Sequence, residues 1–471
     1  MPDAVSDAAR KLRVAVFIEH DIIYRHFVRS RVFADLARRH AVTFVFPERD
    51  VGNKRLTITP DPAEVSAPIE LVRIDPERLS LWRRLFQVSQ LRWRPGRDWA
   101  HLRKVMRYLV GPRASKLYAM LALPGIFQLY QAWSLRQIAQ RPTALDPLLD
   151  RLAPDVIVHP TVLDGYFIND LIQLGRARGI PTIAIMNSWD NPSTKRAVIG
   201  QPDRLLVWGP QTRDHAVRYM GMAPERVLCF GAAQFDIYRQ PPRLTREEFC
   251  RRHDIDPGKP ILLYAGSSKG SDEFAHLCAI EDAIDRGDLP AAAVIYRPHP
   301  WGRGGYKGER LLDHPWRHVR IEASMRAYLE EIRAGRKPIY LADYLETHDV
   351  LASVDAVLSP LSTIILEAML HGKPVLCFLP DLAEGSSFAL QAKLVHFDEL
   401  YANPAVLIAE GDRNLISGAS ELLARVGAPG VADTLIAACA EIVTPHERGY
   451  PTRLTELVES MAQHNEHLRR S

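Results

Sequence analysis

Short apolar runs alternate with segments of helical periodicity along this chain, and no other feature restricts the possible folds as much. In the first half the runs are 13-RVAVFI-18, 42-VTFVF-46, 155-DVIVH-159, 182-TIAIM-186, 204-RLLVW-208 and 226-RVLCF-230. Helix-like stretches such as 22-IIYRHFVRSRVFADLARRH-40 and 166-YFINDLIQLGRARG-179 lie between them. A turn-rich stretch, 231-GAAQFDIYRQPPRLTREEF-249, precedes a second series: 261-ILLYA-265, 292-AAVIY-296, 338-PIYLA-342, 355-DAVLS-359 and 374-PVLCF-378. Apolar runs without polar alternation suit strands buried on both faces, with the intervening helices as crossovers of a parallel sheet. The pattern predicts an α/β chain of two doubly wound parallel-sheet domains joined near residue 240. At 471 residues, 47% of them hydrophobic, the chain can give each domain its own core.

A formal charge of +4 is small for this length and leaves no global electrostatic footprint for nucleic acid. The five cysteines, at 229, 250, 278, 377 and 439, are odd in number and form no CxxC pair. That distribution fits a reducing compartment and argues against a disulfide framework or zinc ribbon. The stretch MPDAVSDAARKLRVAVFIEH carries acids and no apolar core before Arg13, unlike a signal peptide, so a cytoplasmic protein is expected.

In open α/β sheets, ligands bind beyond the carboxyl ends of the strands. In the second half those positions are Gly266-Ser267-Ser268-Lys269-Gly270, Arg297-Pro298-His299-Pro300, and Ser359 to Thr363. Pro298 biases Arg297 toward extended geometry, which puts Arg297 and His299, two apart, on one side. Hydroxyls at Ser359, Ser362 and Thr363, where a strand gives way to a helix, fit simple capping or an anion site. Three strand ends that each offer glycines, hydroxyls or cations favour the anion site, and a phosphate in particular.

The pairing of 296-YRPHP-300 with 359-SPLSTIILEAMLHGKPV-375 resembles the GT-B glycosyltransferases of the bacterial surface-polysaccharide group. Similar elements occur in capsular Kdo transferases, bacterial sialyltransferases and CDP-glycerol glycerophosphotransferases. The stretches 187-NSWDNPSTK-195 and 204-RLLVWGPQTRDHAVRYMGMAPERVLCFG-231 resemble the acceptor half of uncharacterised members. The resemblance covers about residues 155–380 and implies two Rossmann-like domains facing across a cleft. The expected boundaries are 1–240 for the acceptor domain, 241–448 for the nucleotide-donor domain and 449–471 for a C-terminal helix.

The resemblance also implies roles. Arg297 and His299 contact the donor phosphate, with His299 stabilising the leaving group, and Ser362 and Thr363 bind the same phosphate. Glu367, one turn after Thr363, accepts the ribose hydroxyls; an acid in the apolar setting IILEAMLHGK needs a reason. The donor is expected to be CMP-linked, transfer to invert, and no metal or further cofactor to take part. The stretch 254-DID-256 reads as a turn, and no cluster has zinc-like spacing. Polyol-phosphate transfer from CDP-glycerol or CDP-ribitol uses the same loops, and a non-catalytic nucleotide-binding GT-B scaffold is a third possibility.

An inverting transfer needs a base for the acceptor hydroxyl. The end of the first strand, 19-EHD-21, offers Asp21 first and His20 second, with Glu19 orienting; alternatively Asp21 caps the helix from Ile22 to His40. Asp190 and Asp164 stand at later strand ends. Residues 81–141 depart from a minimal plan, with 12 Arg and Lys against the single acid Asp98, and tryptophans at 82, 93, 99 and 133. Such a mixture suits the inner face of an anionic membrane, where a lipid-linked glycan acceptor resides, or a helical insertion with a solvated basic face. Pro124-Gly125 and two glutamines argue against a transmembrane helix between Leu117 and Leu135.

Overall fold

The computed structural model describes residues 10–48, 60–92, 98–163, 165–194, 196–268, 271–299, 308–336, 343–381 and 386–470. The first sheet contains β1 (Arg13–Phe17), β2 (Ala41–Pro47), β3 (Ile69–Val72), β4 (Val156–His159), β5 (Thr182–Ile185), β6 (Arg204–Val207) and β7 (Val227–Cys229). Its order is β3-β2-β1-β4-β5-β6-β7, and every pair is parallel. The second contains β8 (Ile261–Ala265), β9 (Ala293–Arg297), β10 (Val319–Ile321), β11 (Ala356–Ser359), β12 (Val375–Leu379) and β13 (Leu407–Glu410). Its order is β10-β9-β8-β11-β12-β13, again all parallel.

Each run read from the sequence as a strand is one, apart from 338–342, which lies outside the described residues. The three strands the pattern missed, β3, β10 and β13, all sit at sheet edges. Half-exposed edges admit Glu70 and Arg320, which break the apolar runs of β3 and β10, while Glu410 ends the short run of β13. In β1 successive residues serve opposite cores: Val14, Val16 and Ile18 join one cluster, Ala15 and Phe17 the other.

The chain divides into two compact units, Met1–Asp236 with Thr444–Ser471, and Ile237–Val443. The C-terminal helix Tyr450–Arg470 therefore belongs with the first sheet. It buries Tyr450, Leu454, Val458 and Ala462, a four-residue stripe, against the Val14 cluster. Glu459 bonds His40 Nε2 at 2.8 Å.

The expected helix from Ile22 to His40 is instead broken into Asp21–Ile23, a π-helical turn Tyr24–Arg29 and Ala34–Arg39, with Arg31 at φ 56° between them. Asp21 lies in the first turn, whereas His20 occupies the cap position in extended geometry.

Between β3 and β4 three helices form the insertion: Pro76–Gln90, Trp99–Leu121, which is broken by a kink at Gly111 (φ 81°) before Pro112, and Ile126–Ala139. The first starts with Asp75 accepting from Glu77 N at 2.9 Å, with Pro76 in the first turn, and buries Leu81, Trp82, Leu85, Phe86 and Val88. Trp82 Nε1 and Arg78 both donate to Asp170, at 2.8 and 2.6 Å. Arg83 covers the Tyr166 ring and Arg92 that of Phe127.

Candidate functional site

In the second domain all strands are parallel, so the ends of β8, β9, β10 and β11 share one edge of the sheet. At that edge the apolar strands give way to buried polar groups. Arg297 closes β9 and is 7% exposed; among the described residues no hydrogen-bond partner reaches its Nη2. Glu322, directly after β10, caps the helix Ala323–Arg333 and accepts from Ser324 N at 3.1 Å and Met325 N at 3.2 Å. Burial opposes its charge, but Arg297 and the Ser324 and Met325 donors outweigh that and hold its pKa below the usual value. A guanidinium beside an ionised carboxylate, with a buried donor still unmatched, suits an anion.

The loop after β8 is held by a carboxyl group that the sequence reading did not single out. Glu273 is fully buried; it accepts from Ser267 N at 2.8 Å and from the Tyr296 hydroxyl. Burial pushes its pKa up to about 7, against the pull of the Tyr296 and Ser267 bonds. A Cβ on Gly266 would stand 2.5 Å from Glu273 Oε2, so the close approach of loop and carboxyl requires glycine. Ser268 follows in a partly exposed position.

At β11, Ser359 is buried and its hydroxyl donates to Ala265 O at 2.9 Å, tying two strand ends together. Ser362 and Thr363 are partly exposed. Thr363 occupies the cap position of Ile364–Leu370 but makes no side-chain cap bond there. Glu367, 8% exposed, accepts from the Tyr238 hydroxyl, whose pKa burial and the Glu367 charge raise well above the ordinary value. Tyr238 packs on His348 and His371 at ring distances of 5.2 and 4.6 Å. His371 Nδ1 donates to Glu367 O at 2.7 Å, His348 Nε2 to Gln240 O at 2.7 Å, and the two rings meet at 2.8 Å. Burial pushes the His371 imidazole down to about 4, against the pull of its bond to Glu367 O. His299 stands two residues beyond β9 and is partly exposed.

The first domain has a similar transition at the ends of β1, β4 and β5. Glu19, His20, Asp21, His159, Thr161, Asn187 and Asp190 are all buried there. Glu19 accepts from Phe167 N at 3.1 Å and bonds His159 Nε2 at 3.1 Å. Burial opposes the Glu19 charge, but His159, His20 and the Phe167 N–H outweigh it, leaving the pKa below normal. His159 Nδ1 donates to Thr161 O at 2.6 Å, and Thr161 Oγ1 to Asn187 Oδ1 at 3.1 Å. Asp190 accepts from Asn191 Nδ2 at 3.1 Å. His26, in the π-helical turn, meets Arg25 at 2.9 Å; burial, Arg25 and His20 push its pKa well down. Asp164 lies outside the described residues.

Sequence reasoning missed Glu273, Glu322, Tyr238, His348, His371, His26 and His159. Glu273 follows Asp272, which reads as an ordinary helix start, and Tyr238 sits in the stretch read as linker. Glu322 was detectable only once β10 was recognised. Among the described residues no group of three or more His, Cys, Asp or Glu is arranged to hold a metal ion.

No protein-family model matches this chain. It is similar to a lipid-A-disaccharide synthase of Solibacter usitatus, 25% identical over 251 residues, which is 48% of this chain and 58% of that protein. The chain thus spans little more than half the length of that curated relative. Among solved structures it is similar to a putative UDP-N-acetylglucosamine 2-epimerase of Listeria monocytogenes (11% identity, 96% of both chains, TM-score 0.52). It is also similar to the UDP-GlcNAc 2-epimerase of Neisseria meningitidis bound to UDP-GlcNAc (11% identity, 96% of this chain and 100% of that one, TM-score 0.50). A calicheamicin glycosyltransferase matches at 16% identity over 97% of this chain and 99% of its own (TM-score 0.50). With two Rossmann-like, all-parallel sheets, the chain has the GT-B fold.

Proposed function

We propose that this GT-B chain is a glycosyltransferase that takes a sugar from a nucleotide donor and passes it to a glycan or lipid-linked acceptor of the bacterial surface. The observation that carries the reading is Arg297, a buried guanidinium with an unmatched donor at the end of β9, in line with the Gly266-Ser267 loop and Ser362-Thr363. The likeness to a lipid-A-disaccharide synthase supports sugar transfer onto a lipid-borne acceptor.

In this reading the acceptor oxygen attacks the anomeric carbon from the face opposite the nucleotide. The bond from that carbon to phosphate oxygen breaks, the electron pair goes to the phosphate, and the acceptor proton goes to a first-domain base, Asp21 ahead of His20 and Asp190. Glu19, already bonded to His159 and Phe167 N, is better suited to holding the local geometry than to moving a proton. Arg297, His299 and the Ser362-Thr363 loop stabilise the departing phosphate, a task that needs no metal. Glu367 and Tyr238 receive the ribose.

The donor we favour is CMP-linked, from the sequence resemblance; the UDP-GlcNAc bound to the meningococcal fold neighbour makes UDP-sugars the comparison. Incubating the protein with CMP- and UDP-linked sugars and following nucleotide release with acceptor glycosylation tests the reading. Release of CMP with an inverted glycoside supports it. Polyol phosphate on the acceptor points to the CDP-polyol alternative, and nucleotide binding without turnover to a non-catalytic scaffold.

A further inference from the structure

We propose that the helical hairpin Trp99–Leu121 and Ile126–Ala139 is a monotopic membrane anchor, its tip entering the headgroup–acyl boundary of an anionic bilayer. Among the described residues, eight of the eleven exposed large apolar side chains fall between Trp99 and Trp133. Six of them surround the turn: Leu117, Met120, Leu123, Ile126, Leu129 and Trp133, with Leu129 75% exposed.

The hairpin is not short of inward contacts. Phe127, Ser134 and Ile138 form its buried stripe, and Phe127 packs on Val88, Leu91, Met106 and Ala122. On the same helix Ile126, Leu129 and Trp133, at i, i+3 and i+7, form a second apolar stripe that faces outward. A solvated helix has no physical reason for two apolar stripes, so the outer one calls for a cover.

Charge identifies the cover. From Trp99 to Arg141 there are seven Arg and Lys and no Asp or Glu. Arg113 and Lys116 lie one turn behind Leu117 and Met120 on the same face, and Arg136 lies three residues beyond Trp133; all three are exposed. Apolar groups at the tip, cations a turn behind and an indole between them match the depth profile of a bilayer surface with anionic headgroups. A second copy of the chain is a poor fit, since two acid-free cationic hairpins would repel. Among the described residues no helix is long and apolar enough to cross a membrane, so the hairpin lies on one leaflet. Arg83 of the preceding helix and Arg92 just beyond it are used differently, covering rings of the protein itself. The surface is therefore narrower than the stretch 81–141.

Flotation of the full-length protein with vesicles of phosphatidylcholine alone or mixed with phosphatidylglycerol tests the proposal. Wild type should float with the mixed vesicles at low salt and much less with phosphatidylcholine. The exposed triple variant Leu123→Gln, Ile126→Gln, Leu129→Gln should bind at least about tenfold more weakly, with an unchanged melting temperature, given the apolar area it withdraws. The variant Arg113→Gln, Lys116→Gln, Arg136→Gln should lose about 100-fold in partitioning and most of its salt dependence. Wild type that ignores the mixed vesicles, or a Gln triple that floats as well as wild type, overturns the proposal. So does a wild-type dimer in light scattering that the Gln triple converts to monomer without any vesicle binding. None of these readouts involves a nucleotide, so they succeed or fail independently of the transferase reading.

Discussion

In the proposed transfer, Arg297 and His299 are the residues on which the chemistry would turn. Replacing His299 with Ala should lower turnover by about two to three powers of ten with the fold intact, the scale of one lost transition-state donor. If the two share one phosphate, the Arg297→Lys, His299→Ala double variant should lose less than the product of the single losses, which steady-state rates will show. Glu273 makes a different prediction. Its folded pKa of about 7 exceeds the ordinary 4.5, so the folded state retains a proton that the unfolded chain gives up. Its contribution to stability is therefore complete below about pH 4.5, and is lost as pH rises through 7. The span is worth about 3 kcal/mol at 1.4 kcal/mol per unit. Glu273→Gln should flatten the pH dependence of the unfolding midpoint between pH 5 and 8; an unchanged profile contradicts the assignment. Arg297, His299 and Glu367 could be singled out as candidates from the sequence because they follow or flank apolar runs. Glu273 was not, because beside Asp272 it reads as part of an ordinary helix start, and Tyr238 was not, because it sits in an apparent linker and its partner Glu367 is far along the chain.

At the scale of elements, the loop after β8 and the helix after β11 are each held by one carboxyl. Gly266→Ala would drive a methyl onto Glu273, whose oxygens are pinned by Ser267 N and Tyr296, so repositioning it disturbs the whole loop. We expect a loss of about 1–3 kcal/mol in stability, the usual cost of overpacking, with weaker nucleotide binding. Denaturant titration and calorimetry measure the two effects separately. For Glu367, replacement by Gln should weaken ribonucleotides more than their deoxyribose counterparts, and Tyr238→Phe should do the same to a smaller extent. Equal losses for both sugars would mean that the pair does not touch the ribose. The central strands were readable because burial on both faces makes their sequences continuously apolar. The edge strands β3, β10 and β13 were not, and Glu322 disappeared from view together with β10.

For the whole molecule, the central proposal is that the second domain holds a nucleotide. The pattern of runs was enough to predict two parallel sheets. It could not show that the C-terminal helix returns to the first, since that depends on the stripe Tyr450, Leu454, Val458 and Ala462 meeting a core built from residues far earlier in the chain. The most direct measurement is isothermal titration of the full-length protein with CMP, CDP, UDP and GDP, repeated on Arg297→Lys. Lysine keeps a positive charge beside Glu322 but loses the planar fork that matches phosphate. The wild-type protein should bind nucleotide, CMP most tightly, and Arg297→Lys should bind it about 10- to 100-fold more weakly at an unchanged melting temperature. No binding of any of the four nucleotides, or equal affinity in the variant, would contradict the proposal.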